Sequence, residues 1–147
     1  MNLDGKLGRC LFFIGCIFLI GCRGAAAQDR ACIKNTCYEI EVVAKDEELR
    51  RGLQFRTSMP QNHGMLFVFQ SPYVYSFWMK DTKIPLDMIW LDSSRRVIHI
   101  ESSVPPCSKD PCPTYAPADP ALYVLEFNAG EAKRIDLKKG DQFSFRL

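Results

Sequence analysis

Four charged side chains interrupt apolar stretches of this sequence, and chemistry would be expected there first. Lys80 follows Ser76-Phe77-Trp78-Met79, and Asp87 follows Ile84-Pro85-Leu86. Glu126 stands between Tyr123-Val124-Leu125 and Phe127, and Arg56 closes Gly52-Leu53-Gln54-Phe55. Burying an unpaired charge is prohibitive, so each must reach solvent or a partner. Three arrangements satisfy that demand. In the first, these groups pair with one another or cap backbone groups, and so hold loops in register. In the second, Arg56 and Lys80 line a cleft with Trp78 and Tyr115, with Asp87 and Glu126 as further polar contacts. That cleft would take an anionic or sugar-like ligand, with arginine gripping a carboxylate and an aromatic ring supplying a stacking face. In the third, Asp87 and Glu126 serve as general acid and base of a small hydrolase or lyase, as paired carboxylates do in glycosidases. Nothing in the sequence sets the distance between those two carboxylates. Alternation places Phe77 and Met79 on one face and Trp78 with Lys80 on the other.

Other signatures of catalysis are missing. The chain holds no G-x-S-x-G, H-E-x-x-H, P-loop or G-x-G-x-x-G motif, so neither a cofactor nor a metal is expected. His63, beside a glycine in a turn, and His99, in an alternating run, read as ordinary surface groups.

The seven cysteines divide by position. Cys10 and Cys16 fall in an apolar N-terminal run, Cys22 ends it, and Cys32, Cys37, Cys107 and Cys112 form two C-x4-C pairs. In an exported chain an even count favours disulfides, with three connectivities open. The local pairing Cys32–Cys37 and Cys107–Cys112 is preferred, because Lys34-Asn35-Thr36 and Lys109-Asp110-Pro111 can each turn the chain back. A four-thiolate zinc site fits the spacing, but an oxidising compartment would pair the thiols first.

Export is read from the N-terminus. Lys6 and Arg9 precede an apolar run from Cys10 to Ile20, too short to span a bilayer and typical of a secretory signal. Leu19-Ile20-Gly21-Cys22 resembles a bacterial lipobox, which implies cleavage before Cys22 and lipid on its sulfur. An ordinary signal cut near Ala25-Ala26-Ala27-Gln28 is the alternative, and Cys16, preceded by Phe13-Ile14-Gly15, is a poorer anchor. The expected division is a signal peptide over 1–21, a tether over 22–31 and one domain over 32–147. Its expected place is the cell envelope, membrane-anchored through Cys22 and facing the periplasm or exterior. The 19 Lys and Arg and 17 Asp and Glu become 17 and 16 once Lys6, Arg9 and Asp4 leave with the signal. So small an excess gives no footprint for nucleic acid and no polybasic membrane patch.

The elements that must position the charged groups are mostly strands. Cys37 to Val43 alternates, with Tyr38, Ile40 and Val42 against Glu39 and Glu41. Asp46 is placed to cap a short helix with Glu47 and Glu48 in its first turn and Arg50 and Arg51 near its end, and Gly52 follows it. Strands are then expected over 65–69, 73–79, 88–91, 96–101 and 122–127. A helical turn follows at 131–134, and a turn at Lys139-Gly140-Asp141 leads into alternating Phe143, Phe145 and Leu147. Pro105 to Pro120 carries six prolines and reads as a long ordered loop. Short strands separated by turns predict a mainly β fold, a compact sandwich or barrel-like domain with one or two short helices.

Particular residues also bring a family into view. Arg51-Gly52-Leu53-Gln54-Phe55-Arg56, Gly64-Met65-Leu66-Phe67-Val68-Phe69, Phe77-Trp78-Met79-Lys80-Asp81-Thr82 and Ile84-Pro85-Leu86-Asp87-Met88-Ile89 occur in that order. The Pro-rich Cys107–Cys112 segment ending at Tyr115, Tyr123-Val124-Leu125-Glu126 and Gly140-Asp141 complete the series. From 38 to 147 the chain resembles the bacterial and archaeal family called "domain of unknown function 192". The resemblance implies a compact, mainly β fold and frequent export, and it implies no activity. The function expected is a lipid-anchored, non-catalytic module binding a small polar ligand, glycan or envelope partner. A structural envelope lipoprotein without a ligand and the small hydrolase or lyase remain as alternatives, and the oligomeric state is left open.

Overall fold

A computed structural model describes residues 29–147. The expected signal peptide, the lipobox-like stretch with Cys22 and most of the expected tether lie outside the described residues. The described chain runs β1 (Arg30–Ile33), β2 (Thr36–Val43), α1 (Asp46–Arg51), β3 (His63–Tyr73), β4 (Phe77–Trp78) and β5 (Leu86–Leu91). It continues β6 (Val97–Val104), β7 (Thr114–Tyr115), β8 (Ala121–Asn128), α2 (Glu131–Arg134) and β9 (Ser144–Phe145). Seven strands form one sheet in the order β6-β5-β8-β3-β2-β1-β9, and β4 pairs with β7 apart from it. The β2–β3 pairing is parallel and the others are antiparallel.

The sheet curls until its edges meet. Val97 at the start of β6 donates to the Asp141 carbonyl and accepts from Gly140, each at 2.8 Å, and Arg96 bridges Gln142. The Arg95 guanidinium lies 4.6 Å from the centre of the Phe145 ring. The fold is thus mainly β and barrel-like, with one apolar face turned inward and the other covered from outside. Val97 and Phe145, from opposite edges, join Tyr38, Leu66, Ile89 and Phe127 in the inner cluster. On the outer face Met65, Phe67, Met88 and Trp90 are covered by Leu53, Met79 and Phe77.

Gly64 in β3 sits opposite Phe127 in β8. A Cβ there would lie 2.5 Å from the Phe127 ring and 2.9 Å from the Glu126 carbonyl oxygen. The ring cannot retreat, because its other side packs on Tyr38 with centroids 4.2 Å apart. Gly64→Ala is therefore expected to cost about 1–3 kcal/mol through overpacking, read as a lower urea midpoint at unchanged slope.

Several local expectations need revision. Arg30 and Ala31, assigned to the tether, belong to β1, and Ala31 is fully buried. Asp46 opens α1 rather than capping it: Lys45 is the N-cap, and the Glu48 carboxylate reaches back to its N–H. β3 continues through Ser71-Pro72 to Tyr73, past the expected end. A register shift between Val68 and Tyr73 loosens the ladder there, so Pro72 does not forfeit a regular pairing. The expected strand over 73–79 shrinks to the two residues of β4, and the proline-rich segment contains β7. The four cysteines are bonded locally, Cys32 to Cys37 across the β1–β2 hairpin and Cys107 to Cys112. That pairing leaves no thiolates for zinc. Among the described residues no helix is long and apolar enough to cross a membrane.

Candidate functional site

Glu126 lies in the middle of β8, between Met65 of β3 and Met88 of β5, in the most protected part of the sheet. Alternation turns its side chain to the outer face, where α1 and the segment around β4 should cover it. They cover it incompletely, leaving a cavity of about 630 Å³. Glu126 contributes to its lining, together with Phe67, Phe69, Tyr75, Phe77 and Trp78. Thr82, Gly52, Leu53, Gln54, Arg50 and Arg51 also line it.

The aromatic wall is braced. Phe69 and Tyr75 stack at 3.6 Å between centroids, and Phe77 meets Phe67 edge-on at 4.9 Å and Trp90 at 5.8 Å. Buried Trp90 donates its indole N–H to the Tyr75 carbonyl at 3.0 Å, fixing the loop that carries Tyr75. Trp78 differs from the others: β4 pairs only with β7, and its ring is half exposed at the cavity. Gly52 adopts φ 45° and ψ −131°, a conformation suited to glycine, and a Cβ there would press on the Phe67 ring at 3.1 Å.

Two polar groups at this cavity are buried and without partners. Glu126 is 4% exposed and Thr82 5%; neither side chain makes a hydrogen bond or ion pair among the described residues, and their oxygens are not wholly shut off from the cavity. Burial pushes the Glu126 carboxyl up to about 8. Largely desolvated and given no cation, the group holds its proton at neutral pH.

The remaining residues singled out from sequence go elsewhere. Arg56 grips Glu41 of β2 with both terminal nitrogens, and those hydrogen bonds hold the Glu41 carboxyl below its usual range. Lys80 reaches Asp110 in the proline-rich segment at 2.6 Å, a contact that raises its pKa. Tyr115 in β7 pairs with Phe77 and packs against the outer cluster without lining the cavity. Asp87 is fully buried: Oδ1 accepts from the Ser103 N–H at 2.7 Å and Oδ2 from the Ala132 N–H at 2.8 Å. His63 faces Glu39 at 3.1 Å, and His99 faces Glu101 at 2.8 Å; both are half-buried. Of the expected cleft, only Trp78 and Glu126 line the cavity.

The β5–β8 register also decides the paired-carboxylate idea. Asp87 sits opposite Phe127, and Met88 sits opposite Glu126. Paired residues share a face and successive residues alternate, so Asp87 points inward and Glu126 outward. Two carboxylates on opposite faces of one sheet cannot flank a single scissile bond. Among the described residues no group of three or more His, Cys, Asp or Glu is placed to hold a metal ion.

Sequence reasoning did not single out Thr82, Tyr75, Arg50 or Gln54 as site residues. Only Gly52, followed by two apolar residues around Gln54, hinted that the chain after α1 approaches something closely.

A family model for DUF192, described as "Uncharacterized ACR", matches residues 29–145. A "UPF0127 protein" from the archaeon Thermococcus gammatolerans is 29% identical over 100 residues, covering 65% of this chain. The aligned region spans 58% of that relative's length. A crystal structure from Sinorhizobium meliloti 1021, provisionally called a transcription regulator, superposes with a TM-score of 0.75 and 30% identity, covering 81% of this chain and 94% of that one. One from Novosphingobium aromaticivorans, a protein of unknown function, gives 0.73 and 32%, covering 78% and 83%.

Proposed function

The chain belongs to the DUF192 family, and on that footing we propose that it is an exported, lipid-anchored, non-catalytic module that binds a small ligand in the aromatic cavity over Glu126. One observation carries the reading: a buried carboxyl without a protein partner lines a cavity walled by aromatic rings. A purely structural domain gains nothing from such a group, since replacing it by an apolar residue would remove a desolvation penalty. A cavity of about 630 Å³ is in the range of small-molecule sites, mostly apolar with a few convergent polar groups. The half-exposed face of Trp78 is suited to stacking on a flat or sugar-like body.

Export and anchoring rest on the basic flank, the short apolar run and Leu19-Ile20-Gly21-Cys22. Two disulfides accord with an oxidising compartment. Two or more acyl chains would hold the protein stably on its membrane. Metabolic labelling with a radioactive fatty acid tests this directly: label should enter the protein and disappear in Cys22→Ser.

Binding is tested by screening a library of small aromatic and polar fragments against ¹⁵N-labelled protein. Hits should shift the amides of Gln54, Phe77 and Thr82, and Trp78→Ala should weaken them about tenfold, the worth of one stacked ring. Native mass spectrometry on freshly exported protein would show any ligand that co-purifies. A screen that moves no amide around the cavity would favour a structural envelope lipoprotein instead.

A further inference from the structure

The cavity's recognition chemistry can be narrowed, on the reading that it binds a ligand at all. We propose that the ligand presents a protonated amine to Glu126, which receives it as a carboxylate beside the aromatic wall of the cavity. The acid is nine-tenths buried and more, it lines the cavity, and no lysine or arginine of the described chain reaches it. Nothing in the described chain is placed to pair with it as a carboxylate, so a cation that ionises it would be supplied by a ligand. Phe67, Phe69, Tyr75, Phe77 and Trp78 form the aromatic part of its lining, and the Trp78 ring is half exposed. The faces of such rings attract a cation and offer a neutral or anionic group no comparable gain. The unpartnered Thr82 hydroxyl supplies a second acceptor. An ammonium has three donors to distribute, and a carboxylate with one hydroxyl can take them.

The other ionisable groups lining the cavity are Glu47, Arg50 and Arg51 of α1, and Tyr75. Two arginines against one glutamate make the rim from α1 slightly positive. That rim suits a carboxylate or phosphate at the far end of the same ligand, and it discourages molecules that carry positive charge throughout.

The proton balance follows from burial. In the empty cavity Glu126 keeps its proton at neutral pH. When an ammonium group enters, that proton leaves to solvent and a carboxylate–ammonium pair forms with no other bond made or broken. Each amine bound below pH 8 releases up to one proton, so affinity falls as pH falls.

The test uses phenethylamine and its neutral counterpart phenethyl alcohol as probes, with hydrocinnamate as the anion. Each is titrated into the protein and into Glu126→Gln, with amide shifts as the readout. The amine is expected to bind at least tenfold more tightly than the alcohol at pH 8, and to weaken by up to about tenfold per pH unit below that. Glu126→Gln should remove the advantage of the amine while alcohol binding persists, which also shows that the variant is folded. The Glu126 carboxyl carbon, followed by ¹³C NMR, should titrate at lower pH when amine is bound. If alcohol or hydrocinnamate binds as well as the amine, equally in both proteins, the amine inference fails and the binding cavity stands. If none of the three perturbs the cavity amides, the inference and the binding reading fall together.

Discussion

Asp87→Ala is expected to destabilise the protein by about 3–5 kcal/mol, enough to leave a marginally stable domain partly unfolded. Each oxygen of Asp87 takes one backbone N–H, from Ser103 in β6 and from Ala132 in α2. Both donors need it. Ser103 has φ 55°, so β6 is irregular there, and its pairing with β5 shifts register between Leu86 and Met88. Ala132 is in the first turn of α2, whose N-cap is Gly130 with no side chain to cap it. Asp87 therefore performs from a neighbouring strand what a capping residue would do locally. Alanine would leave two buried N–H groups without acceptors and open a small void. Asn would keep one acceptor and turn its amide toward the other N–H, so Asp87→Asn should fall only part of the way back. Urea denaturation gives both values. A role for Asp87 in ligand binding would show differently, as lost affinity in the folded fraction, and its inward orientation predicts that this fraction binds normally.

Asp87 and Glu126 look alike in the sequence, each a carboxylate among aliphatic and aromatic neighbours. What separates them is the β5–β8 register, a pairing between segments almost forty residues apart that no local pattern records. Where the signal was local, the architecture was legible: β2 follows from a period-two run, β5 and β8 from short apolar runs bounded by turn residues, α2 from a short helical turn, and the mainly β, barrel-like class from their sum. Where a distant strand decides, it was not. Trp78 and Lys80 do not act together as alternation suggested, because β4 ends at Trp78 and Lys80 turns to Asp110. The two residues of β7 are hidden among prolines, since only their pairing with β4 makes them a strand. Arg56 was legible as a charge needing a partner, but nothing local marked Glu41, back in β2, as that partner. The cavity itself is an absence of side chains, and it depends on how α1 and the β4 segment sit over the sheet.

The pH dependence of stability should expose the cost of keeping Glu126. The unfolded chain ionises this group near 4.5 and the folded protein near 8. Between those values the folded state holds a proton that the unfolded state has released, so stability falls as pH rises. The slope approaches ~1.4 kcal/mol per pH unit within the window and vanishes above it. Other carboxyls work in the opposite sense and elsewhere. Glu41, lowered by its hydrogen bonds to Arg56, and Asp141, lowered first by the Lys138 N–H, contribute stability that is lost as pH falls through their folded values, below the ordinary carboxylate range. The decline from pH 5 to 8 therefore belongs to Glu126. Glu126→Gln should flatten it, and Glu126→Met should exceed the parent protein by several kcal/mol at pH 8 while differing little at pH 5. Urea midpoints for the three proteins at pH 5, 6.5 and 8 decide the matter. Stability gains that are the same at every pH would mean that Glu126 is ionised in the folded state and reaches water through the cavity. Gains that grow with pH would mean that the domain retains, in the centre of its sheet, a group that weakens it.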